Sequence, residues 1–244
     1  MSYTDVFKRY EYKYMLTRDQ KEKLMETLEG HMKLDEYGRT TIRNIYYDTS
    51  DYSIIRRSLE KPVYKEKLRV RAYSKINEYD KVYVELKKKY NGIVYKRRIA
   101  VKEYLAQLWL TGKAQEPYIC QIADEIEYFR RIHKGLKPSC FLSYERESFF
   151  STDGNNVRLT LDENILGRTC DLSLTKGILG ERIIPSDYTL MELKVSEPIP
   201  LYLVDFLSQN NIQKSSFSKY GTYYQEYIRH KADVSNITGG ILYA

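Results

Sequence analysis

The sequence is poor in the residues on which several kinds of site depend. Its 244 residues include three cysteines, three histidines, one tryptophan and only 12 glycines and 6 prolines. Cys120, Cys140 and Cys170 lie far apart and form no close pair, which excludes a disulfide framework and a cysteine-based metal site. They are expected to be buried, reduced and passive. His31, His133 and His230 fall outside the charged motifs described below, so histidine chemistry is not expected. With so little glycine and proline there is no linker-like or low-complexity stretch, and no repeat marks a second unit. A single domain is expected over residues 1–230, followed by a tail at 231–244. No apolar run approaches the length that crosses a bilayer, and the opening MSYTDVFKRYEYKYML lacks the apolar stretch of a leader. A cytoplasmic location is expected, and any membrane role would need a membrane-protein partner.

What is abundant is tyrosine, with 25 residues, and charge, with 40 Lys and Arg against 33 Asp and Glu. Aromatic residues of this kind favour strands, and 42% hydrophobic residues suffice for a core. The net charge of +7 suits either plain solubility or an anionic ligand, so the placement of the charges has to decide.

Strands are predicted at 7–16, 41–48, 65–73, 81–89, 94–101, 140–150, 157–162 and 188–195, with a weaker one at 168–174. Thr17 can cap a helix from Arg18 to Gly30, and residues 50–60 read as a short helix or turn. Asn91-Gly92 and Asp153-Gly154-Asn155 mark hairpin turns. Tyr104, Leu108, Ile122, Ile126 and Phe129 recur at helical spacing, so two helices interrupt the sheet on either side of Pro117. A last helix is predicted at 201–211, and the polar segment 214–224 ends the ordered part.

Side chains alternate across a strand, and here the alternation sorts charge from apolar bulk. Leu68, Val70 and Ala72 oppose Arg69 and Arg71; Val82, Val84 and Leu86 oppose Tyr83, Glu85, Lys87 and Lys89. Lys96 and Arg98 share a face, as do Tyr144 with Arg146, Arg158 with Thr160 and Asp162, and Glu192 with Lys194. Any one such strand is equally the solvent side of an ordinary sheet, with opposite charges paired across it. Repetition along strand after strand argues otherwise. If the apolar faces pack against helices, the charged faces line the inside of a closed or nearly closed antiparallel barrel, an α+β tunnel with flanking helices. Inward cations repel one another and lose hydration, so such an interior calls for a polyanion, and Arg forks with Lys point charges match phosphate oxygens. The carboxylates among them suit a hard divalent cation, Glu192 foremost, with Glu11 and Glu85 equally able to pair with neighbouring lysines. Nucleic acid is not expected, because the tyrosines form no stacking motif and the charge is expected inside.

The segments RYEYKY at 9–14, NIYYD at 44–48, LRVRAY at 68–73, VELKKK at 84–89, YKRRI at 95–99, YERESF at 144–149, VRLTLDENI at 157–165, LMELKVS at 190–196 and FSKY at 217–220 together resemble a known family. It is the VTC (vacuolar transporter chaperone) polyphosphate polymerase domain, within the triphosphate tunnel metalloenzyme or CYTH-like superfamily. The resemblance implies an antiparallel tunnel in which basic residues grip ATP and a growing inorganic polyphosphate chain, with Mn2+ or Mg2+ held by a glutamate. Carried over residue by residue, it makes Lys13, Arg69, Arg71, Lys87, Lys96, Arg146, Arg158 and Lys219 phosphate ligands at the catalytic centre and Glu192 the metal ligand. Tyr144, Arg98, Lys194 and Ser218 are substrate-binding residues in the same reading, and the polar C-terminal segment closes over the tunnel. Arg9 stands where the superfamily's phosphohydrolases and cyclases have the first glutamate of an ExExK motif, which favours the VTC branch. Ser216 stands where the VTC pattern has a further lysine, with Lys214 the nearest replacement. The implied activity is transfer of the γ-phosphoryl group of ATP to a phosphate chain. The alternatives are a tripolyphosphatase or nucleoside triphosphatase using the same tunnel, and a non-catalytic polyphosphate-binding module.

Overall fold

The computed structural model describes residues 10–91, 93–196 and 198–229, so Arg9, Gly92, His230 and the tail at 231–244 lie outside the described residues. Its strands are β1 (Tyr10–Thr17), β2 (Met32–Leu34), β3 (Thr40–Asp48), β4 (Tyr64–Ala72), β5 (Lys81–Tyr90), β6 (Ile93–Lys102), β7 (Lys137–Ser151), β8 (Arg158–Arg168), β9 (Glu181–Arg182) and β10 (Tyr188–Val195). The helices are α1 (Arg18–Leu28), α2 (Ser53–Leu59), α3 (Glu103–Leu110), α4 (Gln121–Ile132), α5 (Leu201–Gln209) and α6 (Lys219–Tyr223), the last running into a π-helical turn at Tyr224–Arg229.

Local chemistry explains several boundaries. Thr17 and Gln20 form a capping box at the start of α1: the Thr17 hydroxyl accepts from the Gln20 amide at 3.3 Å, and the Gln20 side chain accepts from the Thr17 amide at 3.0 Å. Two otherwise orphaned donors are thereby satisfied at the point where strand turns into helix. The hairpin between β5 and β6 turns at Asn91, whose φ of 45° is the left-handed conformation that Asn tolerates.

One antiparallel sheet runs in the order β1-β10-β8-β7-β3-β4-β5-β6, with β2 added to β7 and β9 to β8. Its apolar faces are covered by helices, as the alternation predicts. Leu68, Val70, Val84 and Leu86 pack against Trp109 of α3 and Ile126 and Phe129 of α4. On the other side Leu159, Leu161, Met191 and Leu193 pack against Leu24 and Leu28 of α1 and Leu203 and Phe206 of α5. Burying each such side chain contributes roughly 1.5–3 kcal/mol, so two helical layers outside the sheet fix which face turns inward.

The sheet curls until its edges approach. Lys87 of β5 reaches Glu11 of β1 at 3.4 Å, although among the described residues no backbone ladder joins β1 to β6. The tunnel is therefore nearly closed, and side chains and a C-terminal strap complete it. Ser215 donates its amide to the Lys13 carbonyl at 2.7 Å, and Lys214 bridges to Tyr14 on the free edge of β1.

Three expectations are corrected. Residues 168–174 form no strand of their own: β8 continues unbroken to Arg168, and the chain then loops. The Arg168 guanidinium collects the carbonyls of Asp171, Ser173, Gly177 and Leu179, and Arg43 takes those of Leu174 and Lys176, so backbone oxygens that a ladder would use are already engaged. The segment 214–224 is not a polar lid throughout. From Lys219 onward it is helical, and Tyr220, Tyr223, Tyr224 and Ile228 are buried against Ile42, Tyr46, Leu142, Ile165 and Leu190 on the inward face of the sheet. One part of the interior is thus an aromatic plug rather than a charged lining. Cys170 is exposed, whereas Cys140 is buried.

Candidate functional site

Strand register aligns the inward residues in rows. Lys13 of β1 faces Glu192 of β10, Glu192 faces Thr160 of β8, Arg146 of β7 faces Asp162, Arg69 of β4 faces both Tyr46 of β3 and Glu85 of β5, and Lys87 faces Lys67 and Lys96. Directly opposed side chains share a face and lie close enough to touch. Tyr144 and Arg146 share that face by strand alternation, opposite Ile42 and Thr40 of β3, and the register shift between β7 and β8 at this point carries its extra residue on β8, where Asn164 takes a φ of 48°.

Two ionic clusters result. In the first, Arg146 holds Asp162 by two parallel 2.6 Å bonds, the fork geometry that makes Arg–carboxylate pairs strong. Lys219 lies 2.5 Å from Asp162 and 3.1 Å from Glu192, and Lys13, Arg146 and Lys194 approach Glu192 at 3.4, 3.4 and 3.8 Å. Glu192 is 7% exposed and Asp162 not at all. Burial opposes ionisation of Glu192, but Lys219, Lys13, Arg146 and Lys194 outweigh it and hold the carboxyl well below the usual range. Burial likewise lowers Lys194 to about 8, with Glu192 only partly restoring it.

In the second cluster, Glu85 is the shared anion. Arg69 bonds it at 2.9 Å, Lys96 at 2.8 Å, and Arg98 stands 3.7 Å away. Burial again works against the carboxylate, and Arg69, Arg71 and Lys96 overcome it, bringing Glu85 down to about 2. Arg71 connects the clusters, donating to Tyr144 Oη at 2.8 Å and to Asn44 Oδ1 at 2.8 Å, while Arg69 donates to Tyr46 Oη at 3.1 Å.

The structure thus brings Lys13, Arg69, Arg71, Lys96, Arg98, Tyr144, Arg146, Glu192, Lys194 and Lys219 into one connected network. Lys87 joins it at the margin: among the described residues its one ion-pair partner is Glu11 at 3.4 Å, which lies 3.6 Å from Lys13. Arg158 stands exposed where β8 begins, opposite Lys194 in register, with no ion pair among the described residues. Ser218 accepts from Lys67 at 3.3 Å and from the Gly221 amide at 3.2 Å, capping α6. Lys214 does not take the place of the lysine missing at Ser216, because its ammonium lies 4.4 Å from the Tyr12 ring centroid and Tyr12 is on the outward side of β1.

Several members escaped the sequence reading. Alternation puts Asp162 on the charged face but assigns it no role, whereas in the structure it anchors the first cluster through Arg146 and Lys219. Lys67 is one more step of the alternation that runs through Arg69 and Arg71, so periodicity alone could have found it. Burial, reinforced by Lys65, Lys87, Lys13 and Arg69, lowers it to about 7. Asn44 and Tyr46 carry no charge; both lie in the NIYYD segment at 44–48, which marks the segment but assigns neither residue a partner.

A divalent cation is compatible with this donor set. All the acidic donors are oxygens, Glu192 and Asp162 share Lys219, and the buried Thr160 hydroxyl opposite Glu192 has no hydrogen-bond partner. Among the described residues no group of three or more His, Cys, Asp or Glu forms a metal cage. An ion here would take few protein ligands and complete its shell with water or the oxygens of a bound ligand, the habit of magnesium-like cations. No helix among the described residues is long and apolar enough to cross a membrane.

The VTC domain family model matches residues 8–227. Among solved structures the chain is similar to a "putative adenylate cyclase" from Bacillus halodurans, with 15% identity and a TM-score of 0.54 over 86% of this chain and 95% of that one. A second "putative adenylate cyclase", from Vibrio parahaemolyticus, has 12% identity and a TM-score of 0.47 over 88% and 96% of the two chains. At this identity the first likeness is one of fold, and that fold is the expected antiparallel tunnel with flanking helices. No curated protein matches the chain.

Proposed function

Since the chain belongs to the VTC domain family, we propose that it is a metal-dependent polyphosphate polymerase, transferring the γ-phosphoryl group of ATP to the end of an inorganic polyphosphate chain. The observation that carries this reading is the inward array in which Arg69, Arg71, Lys96, Arg146 and Lys219 converge on the buried carboxylates Glu85, Asp162 and Glu192. Guanidinium and ammonium groups spaced along one groove suit the equatorial oxygens of successive phosphates.

Phosphoryl transfer asks little covalent help of the protein when charge is neutralised and the attacking and leaving oxygens are held in line. Lys13, Arg69, Arg71, Lys87, Lys96, Arg146, Arg158 and Lys219 orient the phosphates in this reading, with Lys67, Lys194 and Tyr144 beside them. Glu192, supported by Asp162, would hold manganese or magnesium, which supplies charge neutralisation at the phosphate oxygens when bound. The carboxylates that now occupy the cations give way as phosphate arrives, so the cations are already placed and cost little reorganisation.

The test is to incubate the protein with ATP and Mn2+ or Mg2+ while following ADP, free phosphate and long-chain polyphosphate separately. ADP with chain growth is the expected result. Phosphate release without chain growth would replace the polymerase by a triphosphatase, and tripolyphosphate binding without turnover would make the protein a binding module. Glu192→Ala separates the last two cases further: it abolishes turnover in an enzyme while leaving tripolyphosphate bound.

A further inference from the structure

At the end of β4 and β5 remote from Lys67 and Lys87, the inward face changes character. Arg98 of β6 stands over Tyr83, its guanidinium carbon 3.4 Å from the ring centroid, and 5.3 Å from the centroid of Tyr73. Tyr73 and Tyr83 meet edge to face with centroids 5.7 Å apart, and Arg71 approaches the Tyr73 ring at 5.8 Å. Tyr73 immediately follows Ala72, the last residue of β4, and is 39% exposed, and Arg98 is exposed as well. None of these groups is needed for the outer cores, whose members on β4 and β5 are the alternate residues Leu68, Val70, Ala72, Val82, Val84 and Leu86.

From this we infer that Tyr73, Tyr83 and Arg98 form a stacking platform for the base of a nucleoside triphosphate, whose phosphates run inward from Arg71. The inference rests on the proposed nucleotide-using tunnel and says where the nucleoside lies in it. Stacked aromatic and guanidinium planes accept any base, because every base presents a π-face and Arg adds a cation–π component. Position supports the assignment. Tyr73 and Arg71 share a face two residues apart, a separation of about 7 Å along a strand, which leaves room for a ribose between a gripped phosphate and a stacked base. Tyr220 of the plug helix α6 stacks on Tyr46, which is level with Arg69 in the register of β3 with β4, whereas Tyr73 lies beyond Ala72, which is level with Arg43. Inorganic polyphosphate has no base and gains nothing from these rings. The platform therefore favours nucleotide over bare phosphate at one end of the tunnel, giving donor and acceptor different ends.

The experiment compares binding of ATP and of inorganic tripolyphosphate to the wild-type protein, Tyr73→Ala and Tyr73→Phe by titration calorimetry. Stacking on one ring makes a difference of roughly tenfold in affinity. Tyr73→Ala should weaken ATP by about that factor and leave tripolyphosphate unchanged, and Tyr73→Phe, which keeps the ring, should bind ATP like wild type. An equal loss for both ligands, or no loss for either, would overturn the platform while leaving the tunnel reading intact. Failure of the wild type to bind either ligand would overturn the tunnel reading and the platform with it.

Discussion

Replacing Asp162 by Asn tests whether the interior carboxylates act as stand-ins for phosphate. The side chain is fully buried, receives two 2.6 Å bonds from Arg146 and lies 2.5 Å from Lys219. Asn preserves shape but removes the charge, leaving two buried cations to share Glu192 at 3.4 and 3.1 Å with Lys13 and Lys194. Removing one partner of a buried ion pair costs about 3–5 kcal/mol. For a chain of this size each kcal/mol moves the melting temperature by about 2–4 °C, so a drop of roughly 10 °C is expected. Tripolyphosphate at a hundredfold excess over its Kd returns about 2.7 kcal/mol to either protein. The variant should also bind it more tightly than wild type, because Asp162 no longer competes for Arg146 and Lys219. Thermal melts and calorimetric titrations, both with a chelator present to exclude divalent ions, give the two numbers. A variant as stable as wild type, or one that binds tripolyphosphate more weakly, would refute the exchange of carboxylate for phosphate.

Lys67, lowered to about 7 by burial and its cationic neighbours, makes tripolyphosphate binding take up a proton above that pH. Affinity should fall by up to tenfold per pH unit from 7 upward, with buffer-dependent calorimetry at pH 8.5 reporting an uptake that Lys67→Met lacks. In the absence of ligand the same depressed group binds fewer protons folded than unfolded, so its contribution makes stability rise from pH 7 toward 10.5. Gly167→Ala would place a Cβ 2.5 Å from Tyr223 Cδ2 and 3.0 Å from Leu142 Cδ2. Overpacking of this kind costs about 1–3 kcal/mol, read as a lower melting temperature together with increased Tyr fluorescence quenching by acrylamide as the plug loosens. Thr17→Ala removes one half of the capping box on α1 and should cost about 1 kcal/mol in denaturant unfolding with no effect on ligand binding.

The strand faces were legible because their chemistry is written in alternate letters. Leu68, Val70 and Ala72 against Arg69 and Arg71, or Met191 and Leu193 against Glu192 and Lys194, declare an inside and an outside once helices are available to cover the apolar side. The pairing of those charges was less visible. Arg146 finds Asp162 through the register of β7 with β8, and Lys219 arrives from a helix after the last strand, relations that no local pattern encodes. The plug was hidden for a related reason: α6 is five residues long and contains Gly221, so it shows no helical period, and its tyrosines bury only because Tyr46, Leu142 and Gly167 shape a place for them. At Arg168 the pattern misled, since Leu172 and Leu174 resemble strand residues until two guanidinium groups take the surrounding carbonyls.

The strap and the site belong to one network. Lys13 donates to the Phe217 carbonyl at 3.2 Å while lying 3.4 Å from Glu192, and Lys67 donates to Ser218, the residue that caps α6. Lys219, next in the chain, engages Asp162 and Glu192, and Tyr220 after it stacks on Tyr46 and donates to Asp48 at 3.0 Å. Asp48 in turn accepts from the Ile54 and Ile55 amides in the first turn of α2, and Tyr46 accepts from Arg69. A ligand that draws Lys13, Lys67 or Lys219 toward phosphate must therefore take them from partners that hold the C-terminal segment in place. Buried networks of this kind behave as units, because an exchanged partner leaves another group unsatisfied. Binding at the clusters and seating of the strap are consequently coupled, and a substitution such as Ser218→Ala, far from the carboxylates in sequence, belongs with the site in any comparison of affinities.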